Sequence, residues 1–141
     1  MHDSSEPTIN KELQQLYVHM QMLEQQSKQL QKQIQSLDQQ MEELETVKRA
    51  LEELQHVPLD TEILVPLSGG IFVKAALKDN TNLLVNVGAD TGVTKSVPDT
   101  ISTITSQFAE LQQLREQMQA QLERVIGKAQ ELEQHVEKMN D

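Results

Sequence analysis

Two long runs of apolar residues at strict three-four spacing limit the folds open to this chain more than any other feature. In the first, Ile9, Leu16, Leu23, Leu30, Leu37, Leu44 and Leu51 return every seven residues, with Leu13, Met20, Ser27, Ile34, Met41 and Lys48 between them. In the second, Val97, Ile104, Leu111, Met118, Val125, Leu132 and Met139 do the same, interleaved with Ile101, Phe108, Arg115, Leu122, Ala129 and Val136. Such a repeat under-winds a helix and keeps one narrow stripe against a partner helix. Each run covers 43 residues, so each predicts a helix roughly 64 Å long. Arms of equal length joined by a compact insert predict an antiparallel two-helix coiled coil.

The rest of the composition agrees with that reading. Twenty glutamines crowd the two arms and none lies between Val57 and Ser96. Glutamine forms helix well and stays in water, so it clads long helices without adding charge. Only Tyr17, Phe72 and Phe108 are aromatic among 141 residues, so any interior is thin. The net charge of −10 is spread along both arms, which disfavours nucleic acid and anionic lipid as partners. The absence of cysteine rules out disulfides and thiolate chemistry. The polar start Met1-His2-Asp3-Ser4-Ser5-Glu6 does not read as a signal peptide, and no apolar stretch reaches membrane-span length. A cytoplasmic protein is the expectation.

Punctuation divides a single domain of residues 1–141 into three parts: a helix over 6–57, a β-like head over 58–96 and a helix over 97–140. Ser5 or Thr8 is a candidate cap for the first helix, with Pro7 tolerated in the first turn. Pro58 disfavours helical geometry at Val57 and ends that helix. Ser96-Val97-Pro98-Asp99 starts the second with a cap hydroxyl three residues before a carboxylate. Between them the apolar period falls to two. Ser68-Gly69-Gly70, Lys78 through Asn82, and Gly88 through Gly92 are turn signals separating four short strands, or two β-hairpins.

Isolated hairpins are marginal in water, and four short strands with one Phe cannot close a core. Pro66 inside a strand predicts an edge position on one side. The head is therefore expected to be an oligomerisation platform, with Ile63, Val65, Leu67, Ile71, Phe72, Val73, Leu83, Val85 and Val87 meeting other subunits.

No constellation reads as an enzyme site. His2, His19, His56 and His135 are scattered, so neither catalysis nor a metal is expected of them. Asp79-Asn80-Thr81-Asn82 lacks the glycine and glutamate of a calcium loop and reads as a turn. Gly69-Gly70 precedes a strand, not a helix, so it fails as a phosphate cradle, and no cofactor is expected. Ser27, Lys48 and Arg115 are polar residues in the seam, where they lower stability and help fix register.

Apolar residues off the seam are more informative. Every non-seam position from Glu24 through Thr46 is polar, but Tyr17, Val18 and Met22 precede that stretch. If the arms pair end to end, paired positions sum to about 148 and Ile126 lies level with Met22. These four would form a binding surface in the third of the arm farthest from the head. Methionines such as Met20 and Met22 adapt to many apolar shapes. Frayed arm ends would add Ile9, Leu13, Leu16, Leu132, Val136 and Met139 to that surface.

The plan of helix, two hairpins and helix, with the text Glu62-Ile63-Leu64-Val65-Pro66-Leu67-Ser68-Gly69-Gly70-Ile71-Phe72-Val73-Lys74 and the strand end Val85-Asn86-Val87-Gly88, resembles alpha-class prefoldin subunits of the archaeal type. Beta-class subunits resemble this plan with a single hairpin. The resemblance implies a hexamer of two alpha and four beta subunits, whose hairpins join in a double β-barrel carrying six arms. It further implies an ATP-independent holdase that captures unfolded polypeptides at the arm tips and delivers them to a group II chaperonin. The alternative is a coiled-coil adaptor or spacer docking one defined folded partner. A transcript-cleavage type of factor would carry acidic residues at the turn of its coiled coil, whereas the hinge here is β-hairpins.

Overall fold

A computed structural model describes the backbone of residues 6–140 and the side chains of residues 10–140. It contains helix α1 (Glu6–Leu54), strands β1 (Glu62–Ser68), β2 (Ile71–Ala76), β3 (Asn82–Asn86) and β4 (Gly92–Ser96), and helix α2 (Val97–Asn140). Two long helices with two β-hairpins between them are thus the observed architecture. Among the described residues no helix is long and apolar enough to cross a membrane. The candidate cap Ser5 lies outside the described residues, and Thr8 falls within α1. The chain divides into two compact units, one made of the residues up to Gln39 with those from Leu111 onward, the other of Gln40–Glu110.

In the first unit the heptad stripes meet. Leu23, Leu30 and Ile34 of α1 are buried with Leu122 and Val125 of α2, and Met118, Ala129 and Leu132 pack against them. Residues rise along α1 as they fall along α2: Asp38 is reached by Arg115, and Leu23 by Val125. The pairing is therefore antiparallel. The Arg115 Nε donates to Asp38 Oδ1, and its Nη2 lies 3.3 Å from Oδ2. A seam guanidinium thus stays partly exposed and charge-paired at the edge of the interface. The side chain of Ile9 lies outside the described residues.

In the second unit α1 ends at Leu54, a little earlier than Pro58 alone predicts. The His56 and Val57 amides bond back to Glu53 and Leu54 at 3.0 and 3.1 Å, a tightened i→i+3 turn. β1 and β2 pair antiparallel with a register break between Pro66 and Ser68. Gly69 and Gly70 both adopt positive φ (58° and 78°), the geometry that a tight hairpin turn demands. β3 and β4 pair from Asn82↔Ser96 to Asn86↔Gly92. The two hairpins remain separate two-stranded sheets, so no barrel closes within one chain. At the start of α2 the Ser96 hydroxyl accepts from the Asp99 amide at 3.2 Å, as the capping pattern predicts.

The linker between the hairpins is the best-organised loop. The Asn80 side-chain amide donates to the Val57 carbonyl at 2.9 Å, just after α1, and the Val97 amide donates to the Thr81 carbonyl at 2.8 Å. Val97 is fully buried. Asp79 holds the loop in shape by accepting from the Thr81 and Asn82 amides at 2.8 and 3.0 Å and from the Thr81 hydroxyl. These donors, the Thr81 amide first, hold its carboxyl at about 2, below its ordinary 3.8. A carboxylate with a depressed folded-state pKa stabilises the fold above its unfolded value and loses that effect as pH falls through the folded one. Between pH values near 3.8 and about 2, the thermal midpoint of the parent chain should therefore fall more than that of Asp79→Asn. Parallel pH profiles would remove Asp79 from this role.

Gly127 sits inside α2, and a methyl group there would meet nothing within 4 Å. Gly127→Ala should therefore raise stability in urea unfolding by about 0.4–1 kcal/mol through lost unfolded-chain entropy. A loss of stability would mean that the glycine accommodates a neighbour in an assembly.

Candidate functional site: apolar surfaces of the helical arm

The seam of the first unit is not filled evenly. Ser27 of α1 and Ala129 of α2 are smaller than the Leu, Ile, Val and Met that fill most other seam positions. They bracket the Leu23 and Val125 pair, and a groove of about 540 Å³ opens there. Its apolar wall is Tyr17, Met20, Leu23, Val125, Ile126 and Ala129, and its rim is Gln21, Gln31, Gln130, Glu133 and the ion pair of Glu24 with Lys28 at 3.4 Å. The missing volume at Ser27 and Ala129 leaves the flanking Tyr17 and Ile126 open above the buried Leu23 and Val125.

The residues expected in one off-seam cluster are distributed over two surfaces. Tyr17 (48% exposed) and Ile126 (39%) line the groove. Val18 and Met22, each 56% exposed, lie instead in a shallow depression of about 410 Å³ with Lys11, Gln14, Gln15 and His19, all on α1. Heptad geometry explains the division. Tyr17 follows the seam residue Leu16 and flanks the interface, whereas Val18 and Met22 fall on the side opposite it. The seam residues Leu13, Leu16, Met20, Leu132 and Met139 are half-buried and Val136 is buried at 6%, so opening the arm end is what would expose them. Ser27 is the part of the groove that sequence reading assigned to register alone; a small seam residue on each helix was the available signal.

The second unit presents its apolar groups to solvent. All of β1 is exposed, including Ile63, Val65 and Leu67. On β2, Ile71 (62%), Phe72 (56%) and Val73 (46%) are exposed, as is Val87 (58%) beyond β3. Leu83 and Val85 are half-buried, because β3 alternates cleanly and turns these two inward. Leu64 (59%) and Leu84 (79%) are among the most open apolar groups, and they were not among the expected contact residues. They occupy the alternate face of strands whose other face was the one chosen. Among the described residues no group of three or more His, Asp or Glu could hold a metal ion.

The family model described as "Prefoldin subunit" matches residues 23–140. The prefoldin subunit alpha of Pyrococcus horikoshii is 34% identical over 133 residues, covering 89% of this chain and 90% of that protein. That of Archaeoglobus fulgidus is 25% identical over 126 residues, covering 89% and 92%. A cryo-EM structure of filamentous PFD from Methanocaldococcus jannaschii superimposes with a TM-score of 0.71 at 18% identity, over 81% of this chain and 94% of that one, and so shares the fold. An exposed two-hairpin segment between seam-paired helices, and a family match running from Leu23 to Asn140, place this chain in the prefoldin family.

Proposed function

We propose that this chain is the alpha subunit of an ATP-independent holdase, which captures unfolded polypeptides at its arm ends and passes them to a group II chaperonin. The observation that carries the reading is the groove in which Tyr17 and Ile126 lie open to solvent, beside half-buried Met20 and Ala129 and over buried Leu23 and Val125, on an otherwise Gln-clad arm. Val18 and Met22 extend it on α1. Leu13, Leu16, Leu132, Val136 and Met139 join when the arm end opens, and Ile9 belongs to the same run. Its assembly is two alpha with four beta subunits, joined through the exposed residues of the hairpins. The open faces of β1 and β2 support this, because separate two-stranded sheets with solvent-facing Phe72, Leu64 and Ile71 leave apolar area that only other chains can cover. The cytoplasm is its compartment.

The mechanism is avidity. One arm offers a small apolar patch and binds weakly, whereas several arms on one body raise effective concentration and multiply affinity by roughly 10²–10⁴. Weak single contacts let the client leave without nucleotide. Adaptable groups suit clients of no fixed shape: Met20 and Met22 bend and polarise, and glutamine rims bond to any exposed backbone.

Replacing Tyr17 and Ile126 together by Ser should weaken capture of an unfolded client about tenfold, the effect of losing roughly 1.4 kcal/mol of partial apolar burial. Circular dichroism and native mass should stay unchanged. Undiminished suppression of client aggregation would return these residues to packing. Native mass spectrometry of the complex isolated from its cells tests the assembly: two copies with four of a smaller hairpin protein are expected. A one-to-one complex with a folded partner would favour an adaptor instead.

A further inference from the structure

The two helices of the first unit do not present the same charge to solvent. In a heptad, three positions face away from the seam. On α1 from Lys11 to Gln39 those positions hold Lys11, Lys28 and Lys32, the apolar Val18 and Met22, and otherwise only Gln and Ser, with no acid. All of them are exposed. The corresponding positions of α2 from Gln113 to Lys138 hold Glu116, Glu123, Glu131 and Glu137 against Arg124 and Lys138. In a chain of net charge −10, an acid-free strip spanning eight turns of helix is an exception, and it coincides with the outward-facing apolar pair. Glu12, Glu24 and Asp38 flank the strip; Glu24 neutralises Lys28 at 3.4 Å and Asp38 pairs with Arg115. Lys11 and Lys32 form no ion pair among the described side chains, so their charges remain available at the two ends. They are separated by roughly 31 Å of helix axis, with Val18 and Met22 between them.

We propose that the outward face of α1 between Lys11 and Gln39 is a docking strip for acidic polypeptide segments carrying scattered apolar side chains. The proposal rests on the holdase reading and adds a preference to it. Charge complementarity decides the occupant. A basic segment gains nothing from Lys11 and Lys32, while an acidic one places its carboxylates at the ends and its apolar groups over Val18 and Met22. The Debye length is about 8 Å at physiological salt, so the acids of α2 are screened from a segment lying along this face, and among the described side chains Glu12 beside Lys11 is the acid that offsets the lysines. The groove on the other side of α1 has the opposite rim, with Glu133 and a neutralised Glu24, so the two surfaces of one helix differ in the client charge they favour.

The test uses the full-length chain within its isolated complex and three synthetic peptides with identical Leu and Phe positions, spaced by Glu, by Lys or by Gln. Fluorescence anisotropy at low and at physiological salt is the readout. The Glu peptide should bind several-fold tighter than the Gln peptide, and added salt should shrink the difference. The double variant Lys11→Gln, Lys32→Gln should abolish that preference, a change of about fivefold, and leave Gln-peptide binding unchanged. The variant Val18→Ser, Met22→Ser should weaken the Glu peptide more than the Lys peptide, with helical content checked by circular dichroism. Equal binding of the Glu and Lys peptides would overturn the strip and leave the holdase reading intact. So would a preference that survives the lysine substitutions, or self-association of the chain that is lost in the Val18 and Met22 variant. Binding of none of the three peptides would overturn both.

Discussion

The constraint on which this molecule depends is the width of its seam. A two-stranded helical pair buries one narrow stripe, here Leu23, Leu30, Ile34, Leu122 and Val125, and everything outside the stripe must live in water. The arms meet that demand with glutamine, which prefers helix and adds no charge. A chain built this way has no spare interior in which to hide an apolar group or build an enclosed pocket. Most large apolar side chains outside the seam therefore stay exposed. Tyr17, Val18, Met22, Leu114 and Ile126 in one unit, and Phe72, Leu64 and Leu84 in the other, are examples.

The two units use this limitation differently. In the helical unit the exposed groups are few, side by side with polar side chains, and include flexible methionines. Such a surface binds weakly and without regard to shape. In the second unit the exposed groups lie on strands with free edges, where backbone donors and acceptors add direction and repeatability. The first arrangement suits transient contact, the second permanent assembly. The loop between the hairpins is where the second unit is most tightly wired, since Asn80 reaches the Val57 carbonyl and Thr81 receives the first amide of α2. Asp79 shapes that loop by accepting from the Thr81 and Asn82 donors.

Polar residues in the seam have more than one effect. Arg115 was legible as a register residue, and its Asp38 partner one step off the seam shows how a guanidinium is accommodated without leaving a charge unpaired. Ser27 looked alike in sequence but has a different consequence. It is short, makes no cross-helix charge pair, and with Ala129 leaves the groove that Tyr17 and Ile126 line. Side-chain volume, not polarity, separates these two cases.

Local sequence by itself determined both helices and the two hairpins through periodicity, and the Ser96 cap and the turn at Gly69-Gly70 through residue type, because each depends on neighbours within a few residues. The resemblance to prefoldin subunits rested on the same local text around Pro66 and Gly69-Gly70. Tertiary structure alone decided which exposed residues share a surface. Tyr17 and Val18 are adjacent in sequence, yet successive helix positions are turned by about 100°, so one faces Ile126 across the groove and the other faces away. It also decided that Leu83 and Val85 turn inward while Leu64 and Leu84 stay open, since strand alternation names two faces but not which of them a fold covers.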